Sequence, residues 1–215
     1  SYGVLPLIQP YLLQVPLLLM AVLLFFGRLV KEKGIDVFEE VVKTLRERGR
    51  KVRPLIVGAG PAGDDLAGRI GEAVFTGHVE GEELARAVGS ADILVNPSTT
   101  EAFGNVNLEA MASGLAVVSA DAPAARALIE DGKNGLIVPP RDARAYADAI
   151  ERLTDDPAYR KTLADAGIAF SERYHWSAIL DNVIASYRQA IAEGPHLRDP
   201  KVAAVAAKRR AAFAA

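Results

Sequence analysis

From Ala21 onward the chain alternates short apolar runs with stretches of helical pattern. This alternation restricts the fold more than any other feature. The runs are AVLLFFG (21–27), VRPLIVG (52–58), AVFTGHV (73–79), DILVNPS (92–98), LAVVSA (115–120) and GLIVPP (135–140). Between them lie charged, amphipathic or glycine-bounded segments such as Asp36–Arg48, EGEELARAVGSA, GNVNLEAMASG and PAARALIEDG. Near-continuous apolar strands separated by helices of 10–15 residues describe βαβ units and a parallel sheet buried on both faces. Right-handed crossovers then predict a doubly wound, Rossmann-like α/β fold with helices on both faces. Its domain is expected over residues 21–195.

A helical tail follows. Asp142 is expected to cap a helix over Ala143–Leu153. Asp156–Pro157 starts the next, with proline in its first turn. Trp176 opens a third over Ser177–Glu193, ended by Gly194–Pro195. Residues 196–215 are read as a last alanine-rich helix, its core at 199–213, carrying Lys208, Arg209 and Arg210. That cluster is read as a solvated face near a helix C-terminus, with contact to an anionic membrane surface as the alternative.

Residues 4–26, VLPLIQPYLLQVPLLLMAVLLFF, carry no charge. About 20 such residues span a bilayer, but Pro6, Pro10 and Pro16 break a helix here. Neither a basic n-region nor a small-residue cleavage site marks a signal peptide. Residues 1–20 are read as an irregular apolar segment leading into a buried strand; a membrane-associated segment and a remnant of something preceding it stay open. The expected compartment is the cytoplasm, with peripheral membrane contact open.

Composition removes several function classes. With no cysteine, the chain has no disulfide scaffold, thiolate metal site or cysteine nucleophile. Its three histidines (His78, His175, His196) form no HExxH, so no dedicated metal site is expected. A net charge of −2 without a long basic block argues against nucleic-acid binding.

In an open parallel sheet, ligands bind beyond the carboxyl ends of the strands. Three strand-to-helix loops therefore matter. In Gly27-Arg28-Leu29-Val30-Lys31-Glu32-Lys33-Gly34, Arg28 can grip two phosphate oxygens with its planar fork, and Lys33 adds a mobile charge. The bland reading of this loop is a solvated basic turn. Gly58-Ala59-Gly60-Pro61-Ala62-Gly63 matches the GxGxxG dinucleotide fingerprint, with Glu80 near the place of a ribose-binding acid. Against that, Asp64 and Asp65 fall in the first turn of a short helix, where they would repel a pyrophosphate. The third loop holds Glu101 and Glu109 in an E-x7-E spacing around Gly104. Free helix N-terminal amides there suit a phosphate or sugar oxygen, and ionised carboxylates bind hydroxyls strongly.

Together, GRLVKEKG (27–34), VGAGP (57–61), FTGHV (75–79), ADILVNPS (91–98), EAFGNVNLEAMASGLAVV (101–118) and NGLIVPP (134–140) resemble the C-terminal half of a GT-B glycosyltransferase of the retaining family 4. The resemblance covers about residues 21–190. It implies a domain that binds a nucleoside-diphosphate sugar. By position, Arg28 and Lys33 would neutralise the diphosphate, Glu109 would accept from the ribose, and Glu101 would hold hydroxyls of the transferred hexose. The amides of Phe103, Gly104, Asn105 and Val106 would line sugar and phosphate. The backbone at Gly27, Gly58 and Gly60, and at His78 and Val79, would border the ligand. Arg28, Lys33 and Glu101 are the residues expected to act in transfer, with no metal or cofactor required. The resemblance also implies an N-terminal acceptor domain that this sequence does not contain. The chain is therefore expected to bind donor rather than to catalyse alone, with self-association through the apolar N-terminus as a further possibility. The family often carries a Gly-Gly pair after the fifth strand; here the stretch is Ser119-Ala120-Asp121-Ala122-Pro123-Ala124-Ala125. A non-catalytic nucleotide-binding or assembly module is the second reading, and an FAD or NAD protein acting through Gly58–Gly63 the third.

Overall fold

A computed structural model describes residues 20–193. The apolar segment before residue 20, His196, the 199–213 helix and the Lys208–Arg210 cluster lie outside the described residues. The described chain divides into two units at residues 172 and 173.

The first unit is built on a six-stranded, all-parallel sheet in the order β3-β2-β1-β4-β5-β6. The strands are β1 (Ala21–Phe26), β2 (Val52–Val57), β3 (Val74–Gly77), β4 (Ile93–Asn96), β5 (Ala116–Ala120) and β6 (Leu136–Val138). The helices are α1 (Ile35–Glu47), α2 (Gly63–Arg69), α3 (Gly81–Gly89), α4 (Asn105–Ala112), α5 (Pro123–Leu128), α6 (Ala143–Asp155) and α7 (Pro157–Ser171). The predicted α/β doubly wound architecture is the observed one.

Strand alternation explains why the runs are apolar throughout. Leu23 and Phe25 of β1 join Phe38, Val41 and Leu45 of α1 and Tyr146 and Ile150 of α6 in one core. Phe25 meets Phe38 edge-on, with ring centres 5.4 Å apart. Leu24, Leu94 and Val117 alternate to the other face and are also fully buried, as are Ala110 and Met111 of α4, which packs on β4 and β5. A strand covered on both faces has no polar side to show.

Both predicted caps form. Asp142 accepts from Arg144 N and Ala145 N at 3.1 and 3.0 Å. Asp156 accepts from Tyr159 N at 2.9 Å, with Pro157 at the helix start. Two strands end earlier than their apolar runs. β3 stops at Gly77, whose φ of +70° turns the chain out of the ladder. β4 stops at Asn96 because Pro97 has no N–H to pair, and Asn96 Oδ1 takes the next amide, Ser98 N, at 3.1 Å.

The described part of the second unit contains α8 (Trp176–Glu193), over the segment predicted to be helical. Leu180, Val183, Ile184, Tyr187 and Ile191 are exposed along it at helical spacing. No helix among the described residues is long and apolar enough to cross a membrane.

Candidate functional site

The strand order reverses between β1 and β4: β2 and β3 lie beyond β1, and β5 and β6 beyond β4. In a doubly wound sheet such a reversal is where ligands bind, beyond the carboxyl ends of the two strands. The β1 loop carries Gly27, Arg28 and Lys33. The β4 loop carries Glu101, Phe103 and Gly104. Two loops that the sequence singles out separately therefore flank one topological switch point.

Three contacts lock them together. Lys33 Nζ donates to Glu101 Oε1 at 2.5 Å, with only 21% and 16% of the two side chains exposed. Thr100 Oγ1 donates to the Glu32 carbonyl at 3.3 Å. Gly34, at φ +73°, lies so close to Pro97 that a Cβ would sit 2.9 Å from both the Pro97 Cβ and its carbonyl oxygen. Arg28 is exposed and holds no carboxylate among the described residues. It is a solvated cation able to take an anion.

Gly104 precedes α4 in the left-handed conformation, at φ +89°. Leu128 Cδ1 would stand 3.2 Å from a Cβ there, so both backbone and packing favour glycine. No side chain caps α4, and no acid occupies its first turn. Its first amides, at Asn105 and Val106, precede the hydrogen bond from Asn107 N to the Gly104 carbonyl (2.9 Å) and donate to no backbone carbonyl among the described residues. By contrast, α2 and α3 carry Asp64 and Asp65, and Glu82 and Glu83, in their first turns. Asn105 is exposed, Val106 half-buried and Phe103 46% exposed. Glu109 sits in the second turn of α4, and desolvation pushes its carboxyl above the ordinary value. The residue as a whole is nonetheless exposed.

Beneath α4 lies a polar network that sequence reasoning does not single out. Asn107, 1% exposed, accepts from Asn96 Nδ2 at 2.8 Å and donates to Ser119 Oγ at 3.3 Å. Tyr146 Oη donates to the Asn96 carbonyl at 3.0 Å. Burial drives the Tyr146 phenol pKa far up, so it remains a donor. Ser98 Oγ is buried with no hydrogen-bond partner among the described residues. The network ties the start of α4 to the ends of β4 and β5. Its one sequence signal is an asparagine flanked by apolar residues in a helix.

The glycines after β2 have a different task from the fingerprint reading. A Cβ on Gly58 would stand 1.9 Å from the Gly27 carbonyl oxygen, and one on Gly60 would stand 2.5 Å from the Leu29 carbonyl oxygen. Leu29 N donates to the Ala59 carbonyl, and Ala62 N to the Leu29 carbonyl, both at 3.0 Å. Gly58 and Gly60 let the β2 loop press against the β1 loop and so buttress Arg28. His78 and Val79 leave β3, two strands from β1. The His78 ring is 72% exposed and pairs with Glu80 at 3.0 Å. In the fifth loop, Asp121 holds Arg126 through two hydrogen bonds, at 2.5 and 2.7 Å, which lower the Asp121 pKa.

Two cavities of about 390 and 380 Å³ open at the opposite edge, where β1, β2 and β4 begin. Of the cations lining them, Arg50 is engaged by Glu151 and Asp155, Arg160 by Asp92, and Lys161 by Asp165, while Lys51 is exposed. Arg28 and the start of α4 lie at the other end of the sheet.

The family model for glycosyl transferases group 1 matches residues 21–156, well over half the chain. The chain belongs to this family. Among group 1 relatives, it is 34% identical over 175 residues to an alpha-D-kanosaminyltransferase of Streptomyces kanamyceticus, covering 78% of this chain and 45% of the relative. It is 36% identical over 181 residues to a phosphatidyl-myo-inositol mannosyltransferase of Mycobacterium tuberculosis, covering 80% and 48%. The chain thus spans about half the length of the curated relatives it matches. Sucrose-phosphate synthase from Thermosynechococcus elongatus superposes with a TM-score of 0.70 at 29% identity, over 81% of this chain and 46% of that one. The pneumococcal O-GlcNAc transferase GtfA, solved with UDP and GlcNAc, gives 0.69 at 25%, over 79% and 36%. The C-terminal domain of the group 1 protein LpcC from Francisella tularensis gives 0.62 at 27%, over 73% and 87%.

Proposed function

We propose that this chain is the C-terminal, donor-binding half of a retaining family 4 glycosyltransferase, and that it binds a nucleoside-diphosphate sugar at the β1–β4 switch point. One observation carries the reading. A free arginine, a lysine–glutamate pair and an uncapped helix N-terminus meet where the strand order reverses. The match to an isolated C-terminal domain of a group 1 protein supports the placement, and a relative solved with UDP and GlcNAc supports the ligand class.

In this reading Arg28 and Lys33 hold the diphosphate and stabilise the charge that grows on it as the sugar leaves. The amides of Phe103, Gly104, Asn105 and Val106 add uncharged donors at the same place. Glu101 accepts from hydroxyls of the hexose and Glu109 from the ribose. Gly27, Gly58, Gly60, His78 and Val79 form the outer border through backbone. The cations come from the chain, so the reading needs no resident metal. An acceptor attacks on the face that the diphosphate leaves, and configuration is retained without an enzyme nucleophile. The acceptor side of the cleft is supplied by a domain outside the described unit, so sugar transfer requires that partner.

Calorimetric titration with UDP, GDP and ADP tests the reading, with FAD and NAD as controls. One nucleoside diphosphate is expected to saturate the chain. Arg28→Ala should weaken it far more than it weakens the parent nucleoside. Equal losses for both would remove Arg28 from the phosphate, and saturation by FAD or NAD alone would overturn the assignment.

A further inference from the structure

We infer that the Lys33–Glu101 ion pair makes this site favour an intact sugar nucleotide over the nucleoside diphosphate left after transfer. The inference rests on the donor-site reading above. The pair is short, mostly shielded from water, and crosses the switch point between two loops that Gly34–Pro97 packing and the Thr100–Glu32 hydrogen bond hold together. Neither charge can retreat far by moving its loop. The site's lysine therefore rests with its charge already answered by a carboxylate.

A diphosphate that enters must draw Lys33 away from Glu101 or share it. The cost depends on what the ligand gives Glu101 in return. A sugar nucleotide brings hydroxyls, which donate to the carboxylate as the ammonium turns to phosphate. A free nucleoside diphosphate brings none. Its terminal phosphate also carries about −1.5 to −2 charge near neutral pH, whereas the sugar ester carries one negative charge there. Glu101 is thus left beside extra negative charge with no donor in exchange. When the sugar departs, Lys33 regains its partner and the diphosphate loses a cation. The same contact that looks like a closed resting state becomes a force for product release.

The experiment is a titration of the 215-residue chain and its Glu101→Gln variant with UDP and UDP-glucose, and with GDP and GDP-mannose. Glutamine keeps the shape and removes the charge. The variant is expected to bind the free diphosphate about three- to tenfold more tightly, the scale of a partly shielded ion pair, while gaining nothing for the sugar ester. Glu101→Ala should bind the diphosphate more tightly in the same way, so the result does not hang on the folding of one variant. Unchanged or weaker diphosphate binding in folded Glu101→Gln and Glu101→Ala would overturn the inference and leave the donor-site reading standing. No diphosphate binding by the parent chain would overturn both.

Discussion

Gly27 and Gly58 form a natural controlled pair. Their φ angles are nearly equal, +137° and +133°. A Cβ on Gly27 meets nothing within 4 Å, while one on Gly58 meets the Gly27 carbonyl oxygen at 1.9 Å. Each alanine substitution pays about 1–3 kcal/mol for the backbone conformation and recovers about 0.4–1 kcal/mol from a stiffer unfolded chain. Gly27→Ala should therefore cost roughly 1 kcal/mol net. Gly58→Ala adds an overlap between backbone atoms that no side chain can relieve, worth about 1–3 kcal/mol more. Its total should be about 2–4 kcal/mol. Urea unfolding followed by far-ultraviolet circular dichroism measures both, provided the slopes agree. Costs equal within about 0.5 kcal/mol would refute the claim that Gly58 serves loop-on-loop packing. The dinucleotide-fingerprint reading makes a different forecast: a Gly58→Ala cost no larger than that of Gly27→Ala, with lost ligand binding.

Two further outcomes follow from the site. Tyr146→Phe should cost about 1–2 kcal/mol in the same unfolding assay, because it deletes a buried hydrogen bond to the Asn96 carbonyl; a loss near zero would contradict the network. The Glu109 carboxyl is raised in the folded state, so it adds stability below its unfolded pKa and that stability is lost as pH rises through the folded one. Glu109→Gln should match the parent in acid and equal or exceed its stability at neutral pH. Parent affinity for a sugar nucleotide, whose ester phosphate does not titrate there, should fall on acidification from above the ordinary carboxylate range, while Glu109→Gln shows no such step. A matching step in the variant would assign the titration elsewhere.

The sheet was legible because burial on both faces leaves strands such as Leu23–Phe25 and Ile93–Val95 no polar positions to confuse with helix periodicity. Strand ends were less so: Gly77 and Pro97 act through backbone conformation, which apolar content does not report. Arg28, Lys33 and Glu101 each stand out in the sequence, but the Lys33–Glu101 contact joins residues 68 apart and depends on which strands are neighbours. Gly58 and Gly60 fit a motif whose usual physical reason, close approach of a pyrophosphate, differs from the one the packing displays. The Asn96–Asn107–Ser119 network was hidden because asparagine and serine read as surface until the sheet places them inside.

The central claim is the location of the ligand at the β1–β4 switch. Amide chemical-shift mapping of the isotope-labelled chain during a UDP, GDP or ADP titration tests it most directly. Saturable shifts are expected, centred on Gly27–Lys33 and on Phe103–Val106. Shifts confined to Gly58–Gly63, or to the opposite edge around Arg50 and Arg160, would contradict it.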